Sequence, residues 1–136
     1  NSNGKVGIGT TEPTTTLEVI GATNVVGHFA ATSKSFVIDH PTKENKKLQY
    51  GSLEGPEHGV FVRGTTNKNV IKLPDYWKDL VHEDSITVTL TPVHSFQSLY
   101  VKSKTPEQIM VGGVKKSYDY VVYGERKDID KLEVEI

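Results

Sequence analysis

The clearest pattern of hydrophobic and polar positions is the strict alternation in SITVTLTP, where threonines separate Ile86, Val88 and Leu90. A period of two with one polar face is typical of an antiparallel strand that packs on one side only. Similar runs rich in Val, Ile, Thr, Tyr and Phe recur along the chain, separated by turn residues. Their close spacing favours an all-β fold with an antiparallel sandwich or barrel-like domain. Beyond residue 22, the predicted strands are 24–30, 35–39, 47–50, 59–63, 70–73, 85–91, 98–102, 108–111, 118–123 and 132–136.

One stretch, residues 74–81, breaks this β pattern. Its proline at the start, its early acidic residue and its paired apolar positions predict a helix of one or two turns. The stretch contains Trp77, the single tryptophan, which we expect in the core because its burial removes a large apolar area from water. The predicted core consists of Phe36, Ile38, Tyr50, Phe61, Trp77, Ile86, Val88 and Leu90.

The first 32 residues have too few bulky apolar side chains to form a core of their own. Residues 6–8 and 17–19 alternate like strands, and the intervening GTTEP has the composition of a turn. Small and polar residues at 31–34 then mark a boundary between a shaft segment, 1–32, and a globular β domain, 33–136. We expect the shaft segment to bury its apolar residues against another surface; they are Val6, Ile8, Leu17, Val19 and Ile20.

Composition excludes several classes of function. The 136 residues carry a formal net charge of -1, which gives no general attraction for nucleic acid. There is no cysteine, hence no disulfide framework, thiolate zinc site or cysteine nucleophile. No apolar run is long enough for a membrane span, so we predict no membrane insertion. The chain begins with Asn rather than Met, so we expect a piece of a longer protein.

The densest cluster of potentially reactive side chains lies between residues 39 and 58 and consists of Asp39, His40, Glu54, Glu57 and His58. These groups could ligate a metal or perform acid–base chemistry if they converged. Their spacing matches no metal-binding or catalytic motif, however, and the surrounding prolines and glycines are typical of turns. We therefore interpret them as a structural turn network and predict no catalytic site, no metal and no cofactor.

A second group of candidates is aromatic. If exposed, these tyrosines could stack on sugar rings while Asp119 or Arg126 binds hydroxyl groups; the alternative is cross-strand packing. The candidate glycan contacts are Tyr100, Tyr118, Tyr120 and Tyr123.

Two stretches together resemble a known family. GKVGIGTTEPTTTLEVIG is similar to the VGIGTTxPxxxLxV segment of phage tail-fibre and related bacterial surface-fibre proteins. The stretch from SKSFVIDHP to FVRGT, together with IKLPDYW and YVVYGERKD, resembles a domain near the C-terminal ends of such fibres in tailed phages.

This resemblance implies a non-enzymatic structural protein of the virion that forms a homotrimer. The shaft segment would wind around two other copies, with its glycines allowing close approach, and the apolar residues of that segment would form the trimer interface. The further partner that the resemblance allows is a host-surface glycan or outer-membrane receptor. Carbohydrate recognition is therefore the alternative function.

Overall fold

The computed structural model describes residues 4–135. They form two compact units, and the boundary falls between Thr32 and Ser33. The first unit contains β1 (Val6–Ile8) and β2 (Leu17–Val19), which pair in parallel. Both predicted strands are therefore present, but the strand predicted at residues 24–30 is wrong. Alternation alone does not make a strand, because those residues have no pairing partner in the described part of the chain.

The second unit contains eight strands and two short helical segments. The antiparallel strands are β3 (Ser35–Asp39), β4 (Lys47–Gly51), β5 (Gly59–Thr66), β6 (Val70–Lys72), β7 (Thr87–Pro92), β8 (Tyr100–Lys104), β9 (Gln108–Gly112) and β10 (Tyr118–Glu125). The one-turn helix α1 (Trp77–Leu80) lies inside the stretch predicted to be helical, and a 3-10 turn follows at Glu83–Ser85.

These strands form three separate antiparallel sheets. β3 and β4 make a hairpin, and the two larger sheets have the strand orders β5-β10-β7 and β6-β9-β8. Within residues 33–135 none of the sheets closes into a barrel. The all-β prediction is confirmed, with open sheets.

The core of the second unit surrounds helix α1. Trp77 and Leu80 are fully buried on this helix; the same cluster contains Ile86, which directly precedes β7, Ile109 of β9 and Val122 of β10. Tight packing continues to the backbone: a side chain at Gly124 would collide with Val81. The predicted alternation of β7 is confirmed, since its inward apolar residues pack against this cluster while its threonines stay exposed.

Two predictions about the core and the strands of this unit are wrong. Phe61 is not in the core, because it lies on the outward side of β5 and remains substantially exposed. Residues 132–135 do not form a strand, since no neighbouring strand supplies hydrogen bonds to them; residue 136 of that predicted strand lies outside the described residues.

The central position of Trp77 leads to a stability prediction. Trp77→Ala should lower the free energy of unfolding by about 3–5 kcal/mol, because it leaves a large cavity among residues that cannot collapse fully. The measurement is guanidinium unfolding followed by circular dichroism. Phe96→Ala is the control, because Phe96 is 96% exposed and its truncation should change stability by less than about 0.5 kcal/mol. Equal effects of the two substitutions would contradict this description of the core.

Candidate oligomerisation interface

The first unit is built on a parallel pair of three-residue strands. Val6 aligns with Leu17, and Ile8 aligns with Val19. The Val6 amide donates to the Thr16 carbonyl at 2.8 Å and the Ile20 amide to the Ile8 carbonyl at 2.9 Å, which fixes the register at both ends. Parallel strands usually need a longer crossover than residues 9–16 provide, so this connection must turn tightly.

Polar contacts hold the connection in place. Lys5 Nζ donates to the carbonyls of Pro13 and Thr14, each at 3.2 Å. The Glu18 carboxylate accepts from the Thr14 amide at 2.5 Å and from the Thr14 hydroxyl at 3.0 Å. These hydrogen bonds from Thr14, the backbone one above all, lower the pKa of Glu18 below its usual range. The charged form of Glu18 therefore supports the turn, and this support is lost only as the pH falls through the lowered pKa.

Two glycines make the tight turn possible. Gly9 has φ +77°, and a Cβ there would lie 2.7 Å from the Ile20 carbonyl oxygen. At Gly7 a Cβ would collide with the Thr10 carbonyl. Gly7 and Gly9 thus allow close approach within a single chain, to Thr10 and to Ile20, while their role in close approach between copies stays a prediction.

The strand pair presents an apolar strip to solvent. The strip comprises the side chains of Val6, Ile8, Leu17 and Val19, which the parallel register places on one face while Gly7 and Glu18 lie on the other. Leu17 is 60% exposed, Val6 and Ile8 are exposed to a similar degree, and Val19 is half-buried. Ile20, just beyond β2, is also exposed. Two three-residue strands cannot bury this strip on themselves, and isolated strand pairs are at best marginally stable.

The acidic and histidine candidates do not form the single network that was predicted. Asp39 pairs with Lys47 across the β3–β4 hairpin. His40 accepts the Thr42 amide at Nδ1, at 3.2 Å, and its ring meets Tyr76 edge-on at 5.2 Å. These two residues therefore stabilise their own hairpin turn rather than the turn at 54–59.

The remaining members of that group lie in the 54–59 turn, and each makes a contact of its own. Glu54 forms an ion pair with Lys34. The Glu57 carbonyl accepts the Gly59 amide at 2.9 Å, and the His58 carbonyl accepts the Arg126 amide at 2.9 Å. Within residues 4–135, no group of three or more His, Cys, Asp or Glu side chains could hold a metal ion.

The four tyrosine candidates divide between the two sides of their sheets. Tyr118 is fully buried and donates to the Lys68 carbonyl at 2.8 Å, so its prediction as a glycan contact is wrong. Burial also raises the pKa of its phenol. Tyr120 packs against the core and covers Gly64. Tyr100 and Tyr123 remain exposed.

Two arrangements were missed by sequence reasoning. Tyr123 lies opposite Phe61 in the β10–β5 register, and the two exposed rings are 5.7 Å apart between centroids. Arg126 is buried with its guanidinium 3.8 Å from the centre of the Phe36 ring, and it binds Asp128 through two hydrogen bonds of 2.9 and 2.7 Å. The Phe61–Tyr123 pair could not be predicted without the strand register. The Arg126–Asp128 ion pair had a signal in the sequence, the Arg-x-Asp spacing.

Comparison with protein-family models, curated proteins and solved structures found no match to this chain. Across residues 4–135, no helix has the length and apolar character needed to cross a bilayer.

The tight turn can be tested by a pair of glycine substitutions. Gly9→Ala should accelerate amide hydrogen exchange at Ile20 by at least about tenfold, equivalent to about 1.4 kcal/mol, because the new Cβ pushes against the Ile20 carbonyl. Gly4→Ala is the matched control: Gly4 also has a positive φ, +70°, but nothing lies within 4 Å of its Cβ position. Equal acceleration in both variants would show that the contact with Ile20 does not matter.

Proposed function

We propose that this chain is a structural, non-enzymatic part of a homotrimeric phage tail fibre, in which residues 4–32 hold three copies in register. The observation that carries the proposal is the exposed apolar strip on a strand pair too small to bury it. Self-association would remove these side chains from water at about 25 cal/mol per Å² of apolar area. The resemblance of the VGIGTTEP stretch to fibre segments supplies the virion context.

The strand pair also favours a ring of copies over a simple pair. Each of β1 and β2 has one hydrogen-bonded neighbour among the described residues, so both edges of the pair are open. The two edges differ, because one belongs to each strand. Contacts that join one edge to the different edge of a neighbour are heterologous, and they close when the copies form a ring. Three copies form the smallest ring in which every copy has two distinct neighbours.

The chemistry of the second unit agrees with a structural role. Among the acidic and histidine residues between positions 39 and 58, the side chains of Asp39, His40 and Glu54 make contacts in two separate turns. A hydrolytic or metal-dependent site would need several of these groups to converge in one cleft. The structural proposal needs no such convergence.

A substitution in the strip tests the proposal. Leu17→Asp should abolish the assembled species, because association would bury one uncompensated carboxylate from every copy. Sedimentation velocity measures the loss directly. Val37→Asp is the matched control, since Val37 is a 55% exposed apolar strand residue of the second unit. An assembly that survives Leu17→Asp, or that is lost equally in both variants, would contradict a specific role for the strip.

Carbohydrate recognition is the second candidate function, and the Phe61–Tyr123 pair favours it. The pair lies on the outward face of the β5-β10-β7 sheet, two positions along from Arg63 on β5. Exposed rings can stack on the apolar faces of sugars, and nearby polar side chains can bind hydroxyl groups. On the same face Asp119 accepts a hydrogen bond from the Thr65 hydroxyl at 2.5 Å.

Glycan-array binding distinguishes this second function. Tyr123→Ala should reduce binding to any recognised glycan by about twofold to tenfold, since an aromatic stacking contact is worth about 0.5–1.5 kcal/mol. Phe96→Ala provides the control, because it removes an exposed aromatic ring that is not among the candidate glycan contacts. An absence of glycan binding by the unmodified, assembled chain would exclude the second function.

A further inference from the structure

The stretch that follows β2 is exposed and contains no acidic residue, lysine or arginine. No Asp, Glu, Lys or Arg occurs between Glu18 and Lys34, although charged residues make up 24% of the chain. Every residue from 20 to 33 is exposed, including Val26 at 95% and Phe29 at 66%. Residues 21–33 make none of the hydrogen bonds of a strand, although Val25, Gly27 and Phe29 alternate as in one.

This composition differs from that of a flexible linker. Linkers and unfolded segments remain in water because they are polar or charged. Depletion of charge together with exposed aromatic and branched apolar residues is the signature of an interface core. Residues 24–30 also lack proline and lysine, which natural proteins use to keep exposed strand-like segments from pairing.

The same unit offers a place for this segment to bind. β1 and β2 each leave one edge without a partner in the described part of the chain. An extended segment can add to such an edge through main-chain hydrogen bonds, with its alternate side chains against the apolar surface. The unit thus contains both an unpaired segment, residues 24–30, and an unpaired strand edge. When the segment of one copy binds the edge of the next, identical copies can form a closed ring.

We infer that residues 24–30 become a β-strand by adding to the free edge of the β1–β2 pair of a second copy of this chain. The inference rests on the proposed self-association and extends it, since the apolar strip alone could hold copies together with residues 24–30 left in water. The partner is a second copy because the segment has no charge with which to select a charged partner. Folding of the segment is then coupled to assembly.

Two measurements on the same sample of the unmodified chain test the inference. Amide hydrogen exchange, read by mass spectrometry, reports the protection of residues 24–30, and light scattering reports the mass of the assembly. In the assembled species, peptides covering residues 24–30 should exchange at least tenfold more slowly than unprotected peptides. An assembled species in which residues 24–30 exchange at the unprotected rate would overturn the inference and leave the proposed function standing. A monomer at all concentrations would overturn both.

A matched pair of substitutions identifies the contact. Phe29→Asp should increase the amide exchange rate of residues 24–30 at least tenfold, because a carboxylate would be placed against the apolar surface. Phe96→Asp introduces the same change at an exposed phenylalanine of the second unit and should leave that protection intact. Protection that survives Phe29→Asp, or that is lost equally with Phe96→Asp, would overturn the assignment of this segment to the interface.

Discussion

The constraint on which the first unit depends is that its chain is too short to cover its own apolar side chains. Two three-residue strands in parallel expose Val6, Ile8 and Leu17, and the next stretch adds Val26 and Phe29. Hydrogen bonds from Lys5 and Thr14 and the two close-packed glycines fix the turn between the strands. The turn therefore presents an apolar surface that the two strands themselves do not cover.

The second unit, by contrast, buries most of its large apolar side chains, fully or partly, within itself. Helix α1 places Trp77 where three sheets can surround it, so the apolar faces of β7, β9 and β10 are buried within the unit. What remains outside includes the tilted rings of Phe61 and Tyr123 and the threonine side of β7. The two units thus differ in structure: the first leaves its apolar residues exposed, and the second buries its own core and leaves one sheet face open.

Sequence reasoning reached most strands of this fold because alternation records which face of a strand is buried. It failed at residues 24–30 because alternation does not supply a partner for hydrogen bonding. It also grouped Tyr118 with Tyr123, although five positions along one strand place them on opposite faces. The predicted Asp39–His58 network failed for a related reason: proximity in sequence did not bring the two turns together. The apolar residues of β1 and β2, by contrast, were recognisable because their number was too small for a core.

We propose that the first unit binds other copies of the chain. Light scattering on a sizing column, repeated over a dilution series, measures the mass of the unmodified chain. We expect a persistent species of three chain masses that dissociates only at high dilution, because folding of the first unit would be linked to association. A compact monomer at every concentration would contradict it.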